Sequence, residues 1–183
     1  NVGVSYMMQK FISKADLRDC LTKYGFGAKT EIELYNELSG SINFNYPIEV
    51  ASSAFGQGIT TTALQQLQGL TIISNNGKML RPHIVKKIVD TNTNEVIYKR
   101  KVEESEQLIS TTTISKMKDL MYNVIHGSDA GTTGRSYNID GFDIIGKTGT
   151  SQIFDNKAGK YLTGDNDYIF SFLLTLENLS SYL

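Results

Sequence analysis

Tryptophan is absent from this chain of 183 residues, and cysteine, histidine and proline are nearly so, with one Cys, two His and two Pro. The single thiol, Cys20, excludes a disulfide framework and a zinc cluster. His83 and His126 are too few and too isolated to suggest a metal site. No stretch approaches the roughly 20 apolar residues that a membrane span needs, and no signal peptide is visible. An excess of either charge is missing too: 18 basic residues face 19 acidic ones, for a net charge of −1, so no strongly basic face is implied and nucleic acid is not an expected partner. What is there suits a globular chain with a real core, since 40% of the residues are hydrophobic and 20% charged. The first residue is Asn1 rather than Met, an apolar-rich stretch follows at once, and the last residues adjoin another apolar run. The chain therefore reads as cut at both ends.

Hydrophobic spacing organises the chain. Val4, Met7, Met8 and Phe11 predict a helix over 2–11 with one buried face. A second helix is expected over 16–23, closed by Gly25. Residues 31–35 read as a short extended piece, and 36–47 as a surface loop broken by Gly40 and Pro47. Phe55-Gly56-Gln57-Gly58 suggests a tight backbone passage, most simply a packing turn before a helix. Thr60, Thr61 and Thr62 are candidate N-caps for a helix from Ala63, with Leu64, Leu67, Leu70, Thr71, Ile72 and Ile73 as its apolar positions and Asn75-Asn76-Gly77 as its left-handed cap. Residues 84–89 and 96–98 predict a hairpin, and Lys99-Arg100-Lys101 a solvated face. Residues 115–126 predict a helix with Met117, Leu120, Met121, Val124 and Ile125 facing the core. After the small polar loop Gly131-Thr132-Thr133-Gly134, two strands are expected around 144–151 and 168–174, joined through the polar stretch 155–167. There are no internal repeats. Helices first, then a hairpin, a helix and an antiparallel pair predict an α+β fold, an antiparallel sheet packed with helices.

The chemistry concentrates in Gly146-Lys147-Thr148-Gly149-Thr150-Ser151, which continues the apolar run 142–145. The β-branched residues Ile144, Ile145, Thr148 and Thr150 favour a strand. The glycines remove side chains where another group must approach the backbone. Lys147 supplies a positive charge, Thr148 and Thr150 supply hydroxyl donors, and backbone N–H groups beside a glycine can bind a developing oxyanion. Such a strand can hold a carboxylated ligand through acyl transfer. A rival reading exists, because 141–148 match Gly-x-x-x-x-Gly-Lys-Thr, the phosphate-binding P-loop of nucleotide hydrolases. A P-loop opens a helix, whereas Gly149-Thr150-Ser151 are poor helix formers.

Several signals occur in one order: Asn1-Val2-Gly3 opening an apolar helix, Phe55-Gly56-Gln57-Gly58 before a threonine-capped helix, Asn75-Asn76-Gly77, Arg81-Pro82-His83-Ile84-Val85, a Gly-Thr-Thr-Gly loop, and Lys147-Thr148-Gly149. The ordered set resembles the transpeptidase domain of penicillin-binding proteins, particularly the monofunctional class B type, a family related to the serine β-lactamases whose K-T-G element works with S-x-x-K. The resemblance runs from Asn1 to about Phe172 and makes residues 1–183 a single partial domain of that fold, incomplete at both ends.

The resemblance implies roles for particular residues. Lys147, Thr148 and Gly149 correspond to the K-T-G strand that binds the substrate carboxylate, and Thr150 to the residue whose backbone N–H completes the oxyanion hole. Asn1 corresponds to the asparagine of S-x-N, so Asn1, Lys147 and Thr150 are the expected catalytic positions, and Lys147, Thr148, Gly149 and Thr150 the substrate-binding ones. The S-x-x-K nucleophile is expected to be missing from this chain: Ser74-Asn75-Asn76-Gly77 fails at its last position, and Ser13-Lys14 and Ser115-Lys116 are read as wrongly spaced. The implied activity of the parent protein is serine D,D-transpeptidation, cross-linking peptidoglycan stem peptides and binding β-lactams without metal or cofactor. A membrane glycosyltransferase of the elongation or division machinery is an implied partner, and the extracytoplasmic face of the cell membrane the implied location. Two other outcomes on the same fold are a catalytically inactive β-lactam-binding sensor or scaffold and a serine β-lactamase.

Overall fold

The structure, a computed structural model, describes residues 2–129, 132–155, 157–162 and 168–175. The chain divides into two compact units, Asn1–Ser110 and Thr111–Leu183.

The first unit begins with helix α1, Val2–Phe11, which packs against α3, Pro47–Ser53. Of the four residues expected to form the buried face of α1, only Met8 is buried; Met7 and Phe11 are exposed. Helix α2, Lys14–Lys23, starts one residue after Ser13 because Ser13 and Asp16 close a reciprocal capping box: Ser13 Oγ accepts from Asp16 N at 3.1 Å, and Asp16 Oδ2 accepts from Ser13 N at 3.2 Å. Gly25, at φ +86°, follows the last turn.

No strand forms over 31–35, contrary to the sequence expectation. The Glu37 carboxylate ties this segment down instead, accepting from Thr30 N at 2.7 Å, Thr30 Oγ1 at 2.5 Å and Glu31 N at 3.0 Å. Glu31 is held at φ +61°, which breaks an extended course. Pro47 starts a helix rather than breaking one. It occupies the first helical position, where its missing N–H costs nothing, and Glu49 accepts from Asn45 N and Tyr46 N.

Helix α4, Ala63–Ser74, is capped by Thr62 and Gln65 as a second capping box. Its inner face is more polar than its leucines suggest: Gln65 has no exposed surface, Gln68 and Ile72 are buried, and Leu67 is 54% exposed. Asn76 (φ +52°) and Gly77 (φ +99°) turn the chain out of the helix, and Gly77 N donates to Ile72 O at 2.7 Å, the long bond of a Schellman cap. Strands β1, Lys87–Val89, and β2, Val96–Lys99, then pair antiparallel as the expected hairpin, though shorter at its start. Lys99 and Lys101 are exposed, but the Arg100 side chain is only 6% exposed, so the basic run is not a uniformly solvated face. Arg100 pairs with Glu33 at 2.8 Å and lies 3.6 Å from Glu103.

The second unit has helix α5, Thr111–His126, packed on strand β3, Ile144–Gln152. Strand β6, Tyr168–Thr175, runs antiparallel to β3, and the short strands β4, Phe154–Asp155, and β5, Lys160–Tyr161, form a hairpin between them in sequence. On α5 the buried residues are Ile114, Met121 and Ile125, while Met117 and Leu120, expected inside, are exposed. Among the described residues every paired strand is antiparallel, in keeping with the α+β class.

Candidate active site

Strand β3 leaves the core at its middle. Ile144 and Ile145 are 2% and 1% exposed, and since successive side chains on a strand point to opposite faces, both faces are covered there. Burial of each isoleucine contributes roughly 1.5–3 kcal/mol, which anchors the start of the strand. Gly146 is still buried; Lys147 and Gly149 are exposed and Thr148 is half-buried. The same strand is thus fixed at its start and offers a lysine, a hydroxyl and bare backbone at its middle.

Helix α5 holds the fixed end from above. His126 Nε2 lies 3.0 Å from Ile144 O, and its ring stacks on Tyr122 with centroids 4.1 Å apart and planes 20° apart. A carbonyl only accepts, so Nε2 carries the proton in this contact. Nothing in the sequence pattern marks His126 as the tie between helix and strand.

Lys147 Nζ donates to Thr148 O at 2.6 Å, so the ammonium lies over its own strand. Thr148 Oγ1 is 2.9 Å from Thr133 Oγ1 in the loop that precedes the strand. That loop is pinned to α5: Gly134 N donates to Val124 O at 2.9 Å, and a Cβ on buried Gly134 would meet Ile125 Cδ1 at 2.6 Å and Val124 O at 2.9 Å.

The ladder changes phase at the same place. Thr148 lies opposite Ser171 and Ser151 opposite Ile169, so β3 advances three residues while β6 advances two. The extra residue is a β-bulge at Gly149 and Thr150, and a bulge takes backbone groups out of the ladder.

Gly146, Lys147 and Thr148 continue as strand through Gln152 where a P-loop would open a helix, which removes the P-loop reading. Asn1 lies outside the described residues. The expectation that no Ser-x-x-Lys exists needs correction, because Ser115-Lys116-Met117-Lys118 has that spacing. It sits within α5 with Ser115 exposed, and it follows the Asn1 position in the chain instead of preceding it. Ser-x-Asn spacing also occurs at 41–43, 74–76 and 136–138, in no case followed by Val-Gly and an apolar helix as at Asn1. Among the described residues no group of three or more metal-ligating side chains converges, and no helix is long and apolar enough to cross a membrane.

A family model described as "Penicillin binding protein transpeptidase domain" matches residues 1–174. The chain belongs to this family. Among relatives of the transpeptidase family, stage V sporulation protein D of Bacillus subtilis is 33% identical over 165 residues, covering 88% of this chain and 24% of that protein. The peptidoglycan D,D-transpeptidase FtsI homolog of Mesostigma viride is 28% identical over 177 residues, covering 87% of this chain and 29% of that protein. A crystal structure of penicillin-binding protein 2X from Streptococcus thermophilus superposes with a TM-score of 0.83 at 30% identity, covering 95% of this chain and 26% of its own. The chain therefore spans about a quarter of the length of these relatives, and its fold is that of penicillin-binding transpeptidase domains.

Proposed function

We propose that this chain supplies the substrate-binding strand of a serine peptidoglycan D,D-transpeptidase that penicillin acylates. The observation that carries the reading is the Lys147-Thr148-Gly149 segment, exposed at Lys147 and Gly149 and half-buried at Thr148, beside the bulge of a strand whose first residues are locked in the core. In this reading Lys147 and the Thr148 hydroxyl bind the terminal carboxylate of a stem peptide, with Gly149 leaving room for it. The Thr150 N–H, within the bulge, donates to the carbonyl oxygen as it gains negative charge. A serine Oγ, outside residues 1–183 in this proposal, attacks the D-Ala-D-Ala carbonyl, and the peptide C–N bond breaks. D-Ala leaves as the free amine after taking a proton, and a second stem-peptide amine then takes the acyl group and returns a proton. Asn1 would serve as the S-x-N asparagine in that proton traffic. The 1–183 segment on its own would be inactive. The whole protein would act at the extracytoplasmic face of the cell membrane, alongside a glycosyltransferase that supplies glycan strands, with 1–183 forming part of one transpeptidase domain.

The names of its relatives support the reading, among them peptidoglycan D,D-transpeptidase and penicillin-binding protein. The test is covalent labelling of the whole protein by a fluorescent penicillin. Lys147→Ala should slow acylation about 10- to 100-fold, the range expected for losing a charge-assisted hydrogen bond. Unchanged acylation in a folded variant would remove Lys147 from the site, and a wild-type protein that takes no label would argue for an inactive scaffold.

A further inference from the structure

The hydroxyl pair beside Lys147 raises a question of proton order. Thr133 and Thr148 are 15 residues apart, and their Oγ1 atoms lie 2.9 Å from each other. Each hydroxyl has one proton to donate and lone pairs to accept. A carboxylate only accepts. If Thr148 spends its proton on Thr133, it has none for a ligand carboxylate. If Thr133 donates to Thr148, the Thr148 proton is free and its rotamer is fixed.

We propose that Thr133 is a positioning residue that donates its hydroxyl proton to Thr148 Oγ1, so that Thr148 presents its own proton to the carboxylate bound by Lys147. This rests on the transpeptidase reading above. The loop is built to hold the donor in place. Gly134, the next residue, is buried, hydrogen-bonded to Val124 O, and has no room for a Cβ against Ile125 and the Val124 carbonyl. On the other side, Thr132 N donates to Asp129 O at 3.1 Å, so the Thr133 backbone is held from both neighbours. Arg135, two residues on, is itself committed to the carbonyls of Gly127 and Asp129 at 3.1 and 3.3 Å, which stiffens the same turn. Thr133 is exposed, so nothing in core packing requires a threonine there.

The experiment compares acylation rate constants of the whole protein with a penicillin and with the methyl ester of the same penicillin, which lacks the anionic carboxylate. Thr133→Val keeps the shape and removes the proton. It should slow acylation by the free acid about 3- to 10-fold, the usual weight of one hydrogen bond, and leave the ester rate unchanged, while Thr133→Ser restores the acid rate. The thermal midpoint of both variants should match wild type. An equal slowing for acid and ester, or no slowing at all, would overturn the positioning role and leave the transpeptidase reading intact. A wild-type protein that neither compound acylates would overturn both.

Discussion

Gln65 shows how a single side chain can fix the inside of a unit without being apolar. Its amide is fully buried, with Nε2 donating to Ala28 O and Ser39 O at 2.6 Å each and Oε1 accepting from Thr62 N at 2.9 Å. Three backbone groups from three segments converge on one residue. Replacing it with an apolar residue of similar size removes this partner from all three, at about 1–3 kcal/mol for each group that water does not reach, and Ala28 lies where water can reach it. Partial relaxation recovers some of this. Gln65→Leu is expected to destabilise the protein by about 2–4 kcal/mol, read as a lower urea midpoint with an unchanged slope. Hydropathy ranks this substitution as an improvement, which is why the helix pattern points to Leu67 and not to Gln65. A buried amide is invisible to a periodicity count, because its partners, Ala28 and Ser39, come from far along the chain. Arg100 is hidden in the same way. It sits between two lysines that do face solvent, and only the carboxylates of Glu33 and Glu103 explain its burial.

At the level of elements, legibility follows local chemistry. Helices α1, α2, α4 and α5, the β1–β2 hairpin and the β3–β6 pair are readable from local signals: apolar spacing in α1, α2 and α5, the threonine cap and Asn-Asn-Gly exit of α4, the polar link 90–95, and β-branched residues in β3, while the Ser13 cap that starts α2 two residues early is not among them. Helix α3 is not readable from its proline, which counts as a breaker until Glu49, two residues later, makes it a start. Residues 31–35 mislead because the group that shapes them, Glu37, lies outside the segment. That latch has a pH signature. Burial tends to raise the Glu37 carboxyl's pKa, but the hydrogen bonds from the Thr30 hydroxyl, Thr30 N and Glu31 N outweigh it and hold the group below the ordinary glutamate range. The folded value is the lower one, so the latch contributes its full stability above the unfolded glutamate range and loses it as pH falls through the folded value. Thermal midpoints from pH 7 down to pH 3 should therefore fall less steeply for Glu37→Gln than for wild type, the two curves converging at the acid end. Parallel curves would show that Glu37 is not linked to folding. The candidate strand is legible to the residue in Lys147, Thr148 and Gly149; the bulge beneath it is not, since a change of ladder phase is a property of two strands at once.

For the whole molecule, the proposed acyl transfer requires a serine nucleophile, and its place can be tested. Spacing alone nominates Ser115, three residues before Lys118. Its setting speaks against it: an exposed position in the second turn of α5, whose inward face belongs to Ile114, Met121 and Ile125. An activated nucleophile needs a base within hydrogen-bond reach and donors around the oxyanion. Ser115→Ala in the whole protein should leave fluorescent-penicillin labelling at the wild-type rate, and peptide mapping of the labelled protein should place the adduct outside residues 1–183. An adduct on the peptide containing Ser115 would reverse this assignment and make α5 the nucleophile-bearing helix.

The corner after α4 also sets a chemical clock. An asparagine followed by glycine deamidates when the glycine nitrogen attacks the asparagine side chain. At Asn76-Gly77 that nitrogen is already engaged, donating to Ile72 O at 2.7 Å, and the Asn76 carbonyl accepts from Gln107 Nε2 at 2.8 Å. The folded corner thus shields its own weakest bond from ageing, and isoaspartate accumulating at position 76 would record the time the first unit has spent unfolded.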